Sequence, residues 1–484
     1  MGRLENFKML IDGEWVLSSD NKTFESSNPT TGESWCIIPE ASTTDVNKAV
    51  EAAHKAFTDG PWSKMTPTER GEHLRKLADI LASKSEELGK IETIDTGKML
   101  KETKWQAKYI SQFFNFFAGC ADKVSGQTLP IDKPDLFVFT NREPLGVVAA
   151  IVPWNSQLFL VAVKIGPALA AGNTIVLKAS EHASAAMLAF GKCIEEAGIP
   201  PGVVNIITGH GDPCGKELTS HPKVARISFT GGPTSARHVI RNSAENFAEV
   251  SLELGGKSPF IVFDDADIKK AADMAIAAKF RNNGQVCISP NRFYIHERKK
   301  DEFVNLFIEK TKKLKIGDGM DPSTQLGPLT TKKRLNEIEE LVEKTKEEGA
   351  KVLLGGKRPS GFNKGFYYEP TIFDDVKDDF TIMKQEPFGP LVPMLSFKSF
   401  DDVIKRANNH ELGLCSYVCT NSMETAHLAS EQLETGSVAV NTPMVAIAEA
   451  PFGGIKQSGY GREGGSMAIK DYLNIKYTHL GIKG

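Results

Sequence analysis

The rhythm of residues 145–256 constrains this fold more than any other feature of the chain. GVVAAIVP (146–153), TIVLK (174–178), VVNIIT (203–208) and ARISFT (225–230) are short runs rich in β-branched residues. Helical patterns separate them at 158–171 and 182–197, with a shorter one near 213–220. Strands that are apolar on both faces and alternate with helices predict a parallel sheet covered on each side. Nucleotides bind such sheets at the carboxyl ends of the strands, which is where Trp154, Asn155, Lys178, Glu181, Gly209 and Gly231 fall. PFIVF (259–263) and a helical pattern from Asp267 to Phe280 begin a second α/β cycle. Further strand-like runs follow near 391–396, 416–419 and 437–441, and Lys/Glu-rich helices at 301–313 and 331–348 read as solvated covers.

A chain of 484 residues is longer than one core supports, so two or three domains are expected. Its first part predicts a hairpin around Asp12-Gly13 and then a polar stretch to about residue 41. Helix starts follow at Ser42-x-x-Asp45 and at Thr66-Pro67-Thr68-Glu69, which offers a cap, a proline and an acid in order. Leu74, Leu77, Leu81 and Leu88 mark the buried stripe of one long helix. The segments 134–144 and 471–478 read as strands outside both α/β patterns, able to form a third, small sheet.

Charge is nearly balanced, with 58 basic and 61 acidic residues, so nothing predicts a nucleic-acid partner. The seven cysteines are odd in number, scattered and without a CxxC pair, which argues for a reducing compartment and against a metal site or disulfide framework. MGRLENFKMLIDGEW lacks the apolar core of a signal peptide, and Asn6 breaks the myristoylation pattern that Gly2 would open. The most apolar segment, 158–172, is too short to span a membrane and contains Lys164 and Pro167. The expectation is a cytoplasmic protein with no membrane partner.

Two local features leave alternatives open. Cys287 lies in KFRNNGQVCISPNRF (279–293), where it is either a small buried hydrophobe or a thiolate nucleophile. The glycines of GHGDPCG (209–215) do not have GxGxxG spacing, and short glycine turns between strand and helix are common.

The set of motifs is more informative. PWN (153–155), GPALAAGNTIVLKASE (166–181), FTGG (229–232), LELGGKSP (252–259), GQVC (284–287), EPFGP (386–390) and PFGGIKQSGYGRE (451–463) resemble the NAD(P)-dependent aldehyde dehydrogenase superfamily of the hydrolytic type. The resemblance runs along essentially the full length and in family order. It implies an α/β fold with a Rossmann-type cofactor domain (1–125 and 145–256), an α/β catalytic domain (257–455) and a small β oligomerisation element (126–144 and 470–484). Residues 456–469 would return to the cofactor domain.

By the same resemblance Cys287 matches the nucleophile, Glu253 the base that activates the deacylating water, and Asn155 an oxyanion donor beside the Cys287 backbone N–H. Glu463 matches a proton-relay acid. Ile151, Val152, Pro153, Trp154, Lys178, Ser180, Glu181, Gly211, Phe229, Thr230, Gly231, Glu386 and Phe388 match cofactor positions. Lys178 and Glu181 would hold the adenosine ribose, and Glu386 the nicotinamide ribose. Such residues suit the chemistry: a thiolate makes the aldehyde carbon tetrahedral, donors stabilise the oxyanion, and a carboxylate base hydrolyses the thioester left by hydride loss. A carboxylate at Glu181 repels a 2′-phosphate, so NAD is expected over NADP. The small sheet implies a homo-oligomer, with a tetramer slightly favoured over a dimer.

Departures from the family pattern bear on cofactor and substrate. Ala236 stands where the family commonly has a second glycine. Pocket positions that are aromatic in many members are Ser156, Val163 and Ala446 here, with Phe159 and Leu160 nearby. A quaternary ammonium prefers ring faces, so betaine aldehyde is not expected. Arg281 matches one arginine of a succinate-semialdehyde-type carboxylate anchor, but the second falls on Val163 and the serine contact on Ala446 or Ile447. The alternatives are a semialdehyde dehydrogenase anchored by Arg281, a CoA-acylating enzyme, and a non-catalytic protein on the same fold.

Overall fold

The computed structural model describes residues 4–482; Gly2 and the outermost ends of the expected segments lie outside them. The expected strand runs form the centre of an eight-stranded sheet. Its order is Gly459–Tyr460, Glu249–Glu253, Val224–Thr230, Val147–Ile151, Thr174–Lys178, Val204–Ile207, Met9–Ile11 and Glu14–Val16. The five strands from Glu249–Glu253 to Val204–Ile207 are parallel, and the short outer ones are antiparallel. Thr174–Lys178 is buried at every residue, which explains its uninterrupted apolar run between two helix layers. Chain order reverses between Val147–Ile151 and Val224–Thr230, so a crevice opens beyond their carboxyl ends.

The second sheet has seven strands, in the order Lys351–Leu354, Thr371–Asp374, Leu391–Phe397, Arg292–His296, Pro259–Val262, Cys415–Cys419 and Ser437–Val440. The short connection Leu254–Ser258 runs from the carboxyl end of a first-sheet strand to the amino end of a second-sheet strand. That polarity sets the crevice of one sheet against the loops that enter the other. The segments expected to form a third sheet do so: Leu473–Gly481 pairs antiparallel with Leu136–Pro144, and Thr128–Leu129 adds a third strand.

Both helix starts are capping boxes, Ser42 with Asp45 and Thr66 with Glu69. Asp12 and Gly13 turn the hairpin with φ of 53° and 76°, the left-handed pair that a tight hairpin requires.

The N-terminal region departs from expectation in three places. The polar stretch before residue 41 contains paired strands, Thr23–Asn28 and Glu33–Pro39; they are largely half-buried, so burial imposes little apolar alternation on them. The single helix expected from Leu74 to Leu88 is two, Pro67–Ser83 and Ser85–Thr96, with the break at Lys84 (ψ 10°). The pattern up to residue 121 reads as mostly helical surface around something else, but residues 100–120 are not surface alone. The helix Leu100–Cys120 buries Phe113, Phe114 and Phe117 in the core of the first sheet, each phenyl contributing about 2–3 kcal/mol.

Candidate active site

Cys287 follows a strained loop. Arg281 ends the helix Ile268–Phe280, and Asn282, Asn283 and Gly284 then take φ of 46°, 53° and 76°. Asparagine and glycine are the residues that tolerate this left-handed run. The Asn282 side chain donates to the carbonyls of Asn155 (3.0 Å) and Gln285 (3.2 Å), and the Asn155 amide donates to Gln285 O at 3.0 Å. The loop and the PWN turn are thereby fixed to each other. The same bond orients the Asn155 amide and leaves its second N–H for another acceptor.

The LELGG connection comes equally close. A Cβ at Gly256 would lie 2.6 Å from the Cys287 carbonyl oxygen, and one at Gly255 would collide with Glu386. The two glycines are therefore demanded by packing. The Gly256 N–H donates to Glu386 Oε1 at 3.1 Å.

These segments enclose a cavity of about 250 Å³ lined by Asn155, Glu253 and half-buried Cys287. Of the expected cofactor residues, Pro153, Trp154, Thr230, Gly231, Glu386 and Phe388 line it as well. Trp154 and Phe388 meet edge to face with centroids 5.5 Å apart, and Arg334 lies over the Phe388 ring at 5.6 Å. Gly232 also lines the cavity and starts the helix Pro233–Ser243 without a side-chain cap, so the helix presents unsatisfied N–H groups there. Ala236 is buried in the apolar cluster beneath the sheet and does not face the cavity.

The other expected cofactor residues extend along the strand ends, outside this cavity. Ile151 and Phe229 are partners in adjacent strands, and the Val152 N–H donates to Lys178 O at 3.2 Å. Lys178 Nζ lies 3.8 Å from Glu181 Oε2, and Ser180 is buried at the same turn. Gly211 opens the next strand-end loop.

On the remaining wall, Ser156, Phe159, Leu160, Arg281 and Ala446 line the cavity, but Val163 does not. It lies one turn further along the helix Gln157–Ala171, packed into the core at 5% exposure. The aromatic lining comes instead from Trp105 and Tyr109, which no quoted motif contains, and from Phe452, which lies in PFGGIKQSGYGRE without a pocket role having been read from it. A period of four residues on an amphipathic helix was the available signal, and it reads equally as core.

Electrostatics follow burial. Burial pushes the Cys287 thiol up, and the carboxyls of Glu386 and Glu253 add to this. Glu253 is raised well above the usual carboxylate range, chiefly by burial and then by Glu463, against Lys164 and Arg462. Neither of its oxygens has a hydrogen bond among the described residues. Burial raises Glu386 to about 7, against the Gly256 N–H and then Lys257. Glu463 lies behind the cavity, bonded to Lys164 Nζ at 2.5 Å; Lys164 also donates to Ser228 Oγ at 3.1 Å. Lys164 had registered in the sequence only as an interruption of an apolar segment.

Residues 15–478 match the model of the aldehyde dehydrogenase family. The chain belongs to that family. Among its relatives, (Z)-2-((N-methylformamido)methylene)-5-hydroxybutyrolactone dehydrogenase of Acinetobacter baylyi is 48% identical over 478 residues, covering 99% of this chain and 97% of its own. An aldehyde dehydrogenase from Bacillus cereus, solved as its NAD+ complex, superposes with a TM-score of 0.97 at 40% identity, covering 99% of this chain and 97% of its own. An NADP-dependent enzyme from E. coli gives 0.96 at 38% identity, covering 99% and 98%. The protein is thus an NAD(P)-dependent aldehyde dehydrogenase on the family's α/β fold, oxidising aldehydes to acids.

Proposed function

We propose that this dehydrogenase uses Cys287 as its nucleophile, Glu253 as the base for deacylation and NAD in preference to NADP. The observation that carries the reading is the meeting of Cys287, Glu253 and Asn155 in one cavity although the three are far apart in sequence. Cys287 Sγ attacks the aldehyde carbon as the thiolate, its proton having left to solvent. The free N–H of Asn155 and the Cys287 backbone N–H then meet the oxyanion. When bound, the nicotinamide supplies the hydride acceptor that turns the thiohemiacetal into a thioester. Glu253, unbonded at both oxygens, takes the proton of the attacking water. Lys164 and Glu463 lead that proton away from Glu253.

The residues present fit a dinucleotide. The uncapped helix start at Gly232 suits a pyrophosphate, Glu386 offers an acceptor to a ribose hydroxyl, and Glu181 one to the adenosine ribose while repelling a 2′-phosphate. A ratio of kcat/KM for NADP over NAD above one would contradict the preference. We assign cofactor binding to 1–125 and 145–256, catalysis to 257–455, return to the cofactor region to 456–469, and assembly to 126–144 and 470–484. Ile475, Tyr477 and Leu480 are exposed on the small sheet, an apolar strand that needs cover. A homo-oligomer follows, a tetramer before a dimer, and light scattering showing only monomer would refute it. The seven cysteines are all free, in keeping with work in the cytoplasm.

The deciding experiment compares products with and without coenzyme A. The free acid is expected in both, at equal rates; acyl-CoA as the main product would overturn the hydrolytic role of Glu253.

A further inference from the structure

The loop before Cys287 uses one device twice, with different targets, and this inference rests on the assignment of Asn155 as oxyanion donor above. Asn282 and Asn283 are consecutive, buried and left-handed, at φ of 46° and 53°. Glycine takes that backbone without strain, as Gly284 does at 76°. A side chain kept at both positions therefore calls for a use beyond the turn. The Asn283 amide donates to Gly327 O at 3.0 Å, and Asn283 does not line the cavity. Asn282 does line it, and its amide donates to two carbonyls, those of Asn155 and Gln285.

The bonds converge on the Gln285 carbonyl. It accepts from Asn282 Nδ2 at 3.2 Å and from Asn155 Nδ2 at 3.0 Å, which uses both of its lone pairs. The Asn155 amide turns about a broad, two-fold torsion, so a single hydrogen bond restrains it weakly. Here the acceptor is held between two donors. The Asn155 backbone carbonyl is tied to the same Asn282 amide at 3.0 Å, so both ends of that torsion are fixed. Asn282 is itself held from three sides. Its carbonyl accepts Gln285 Nε2 at 3.1 Å, its N–H donates to the Glu102 carboxyl at 3.2 Å, and the Thr330 N–H donates to Gln285 Oε1 at 2.9 Å. None of these bonds is to Cys287.

We propose that Asn282 is a positioning residue for the oxyanion hole: by bridging Asn155 O and Gln285 O, it sets the direction in which the second Asn155 N–H points. It acts through Asn155 and not on the thiolate of Cys287. Its neighbour Asn283, alike in residue type and backbone, serves only the loop.

The test compares Asn282→Gly with Asn283→Gly, since both keep the left-handed turn and lose one amide. The NADH burst from benzaldehyde is read by stopped flow in the full-length enzyme, with and without Asn155→Ala. Calorimetric affinity for NAD close to that of the parent shows that a variant has folded. Asn282→Gly should slow the burst about tenfold, and Asn283→Gly less than about twofold. In the Asn155→Ala enzyme there is no amide left to aim, so Asn282→Gly should slow it less than about twofold further. Iodoacetamide alkylates Cys287 by displacing iodide at a saturated carbon and builds no oxyanion, so its rate should stay within about twofold of the parent in Asn282→Gly. Asn282→Asp has the same size but cannot donate as the carboxylate; it should not recover the burst, and it replaces the glycine variant if that loses affinity for NAD. A tenfold loss that persists beside Asn155→Ala, alkylation that slows in parallel with the burst, or loss of NAD affinity in both variants would make Asn282 structural and overturn the proposal. An Asn282→Gly burst at the parental rate would overturn it too. An Asn155→Ala burst at the parental rate would instead remove the oxyanion assignment, and the proposal with it.

Discussion

On the cofactor side of the cavity, Trp154, Gly231 and Gly232 follow directly from two neighbouring strands of the first sheet, and Glu386 is bonded to backbone. On the aldehyde side, the lining comes from a distant N-terminal helix through Trp105, Gln106 and Tyr109, and from a loop through Met444, Val445 and Ala446. The first wall is set by topology, since a parallel sheet ends there whatever the side chains are. The second is set by side chains on elements whose backbone role is only to pack. The fold can therefore keep one chemistry while the aldehyde wall changes freely.

Substitutions should respect that division, with the largest losses where the walls meet. Cys287→Ala should lower turnover by roughly three orders of magnitude or more, with NAD binding by calorimetry nearly unchanged. Glu253→Gln should slow the steady state about 10²–10⁴-fold while an initial burst of NADH persists in stopped flow. An equal loss of burst and steady state would mean that Glu253 acts earlier, on the thiol. Asn155→Ala should cost about 10²–10³ in kcat through the lost oxyanion donor, with little change in the affinity for NAD.

Two smaller effects separate the walls. Glu386, titrating at about 7, accepts from a ribose hydroxyl best as the carboxylate. The dissociation constant for NAD should therefore fall as pH rises through 7, with a proton released on binding. Glu386→Gln should flatten that profile and weaken NAD by about 10–100-fold, the scale of a hydrogen bond to a charged group. Calorimetry from pH 6 to 8 reads both, and an unchanged slope in the variant would move the titration elsewhere. The smallest effect belongs to Arg281→Ala, which should raise KM about threefold, on the scale of an ordinary hydrogen bond. The rise should be similar for neutral and carboxylate-bearing aldehydes, whereas a selective loss for acids would restore the carboxylate anchor.

The same division governs what the sequence made legible. TIVLK and ARISFT reveal their strands because burial on both faces leaves no freedom of residue type. LELGG and GQVC are legible because the Cys287 carbonyl comes too close to Gly256, and the Gly389 carbonyl too close to Gly284, to admit a side chain. Trp105 and Tyr109 were hidden, since an aromatic pair at i, i+4 on a helix has the same pattern whether it faces a core or a cavity. Val163 was misplaced for the converse reason, because one further turn carries the same helix face out of the cavity and into the core. The break at Lys84 had no proline or glycine to announce it. Lys164 gained a role only when Glu463, distant in the chain, was brought to its ammonium.

The central claim is that both walls serve a covalent intermediate on Cys287, and trapping that intermediate tests it most directly. Glu253→Gln enzyme mixed with NAD and benzaldehyde, quenched in acid during the burst and digested, should show one acyl group per chain. The peptide containing Cys287 should carry it. NADH formed in the burst without an adduct, or an adduct on any other cysteine, would contradict the account.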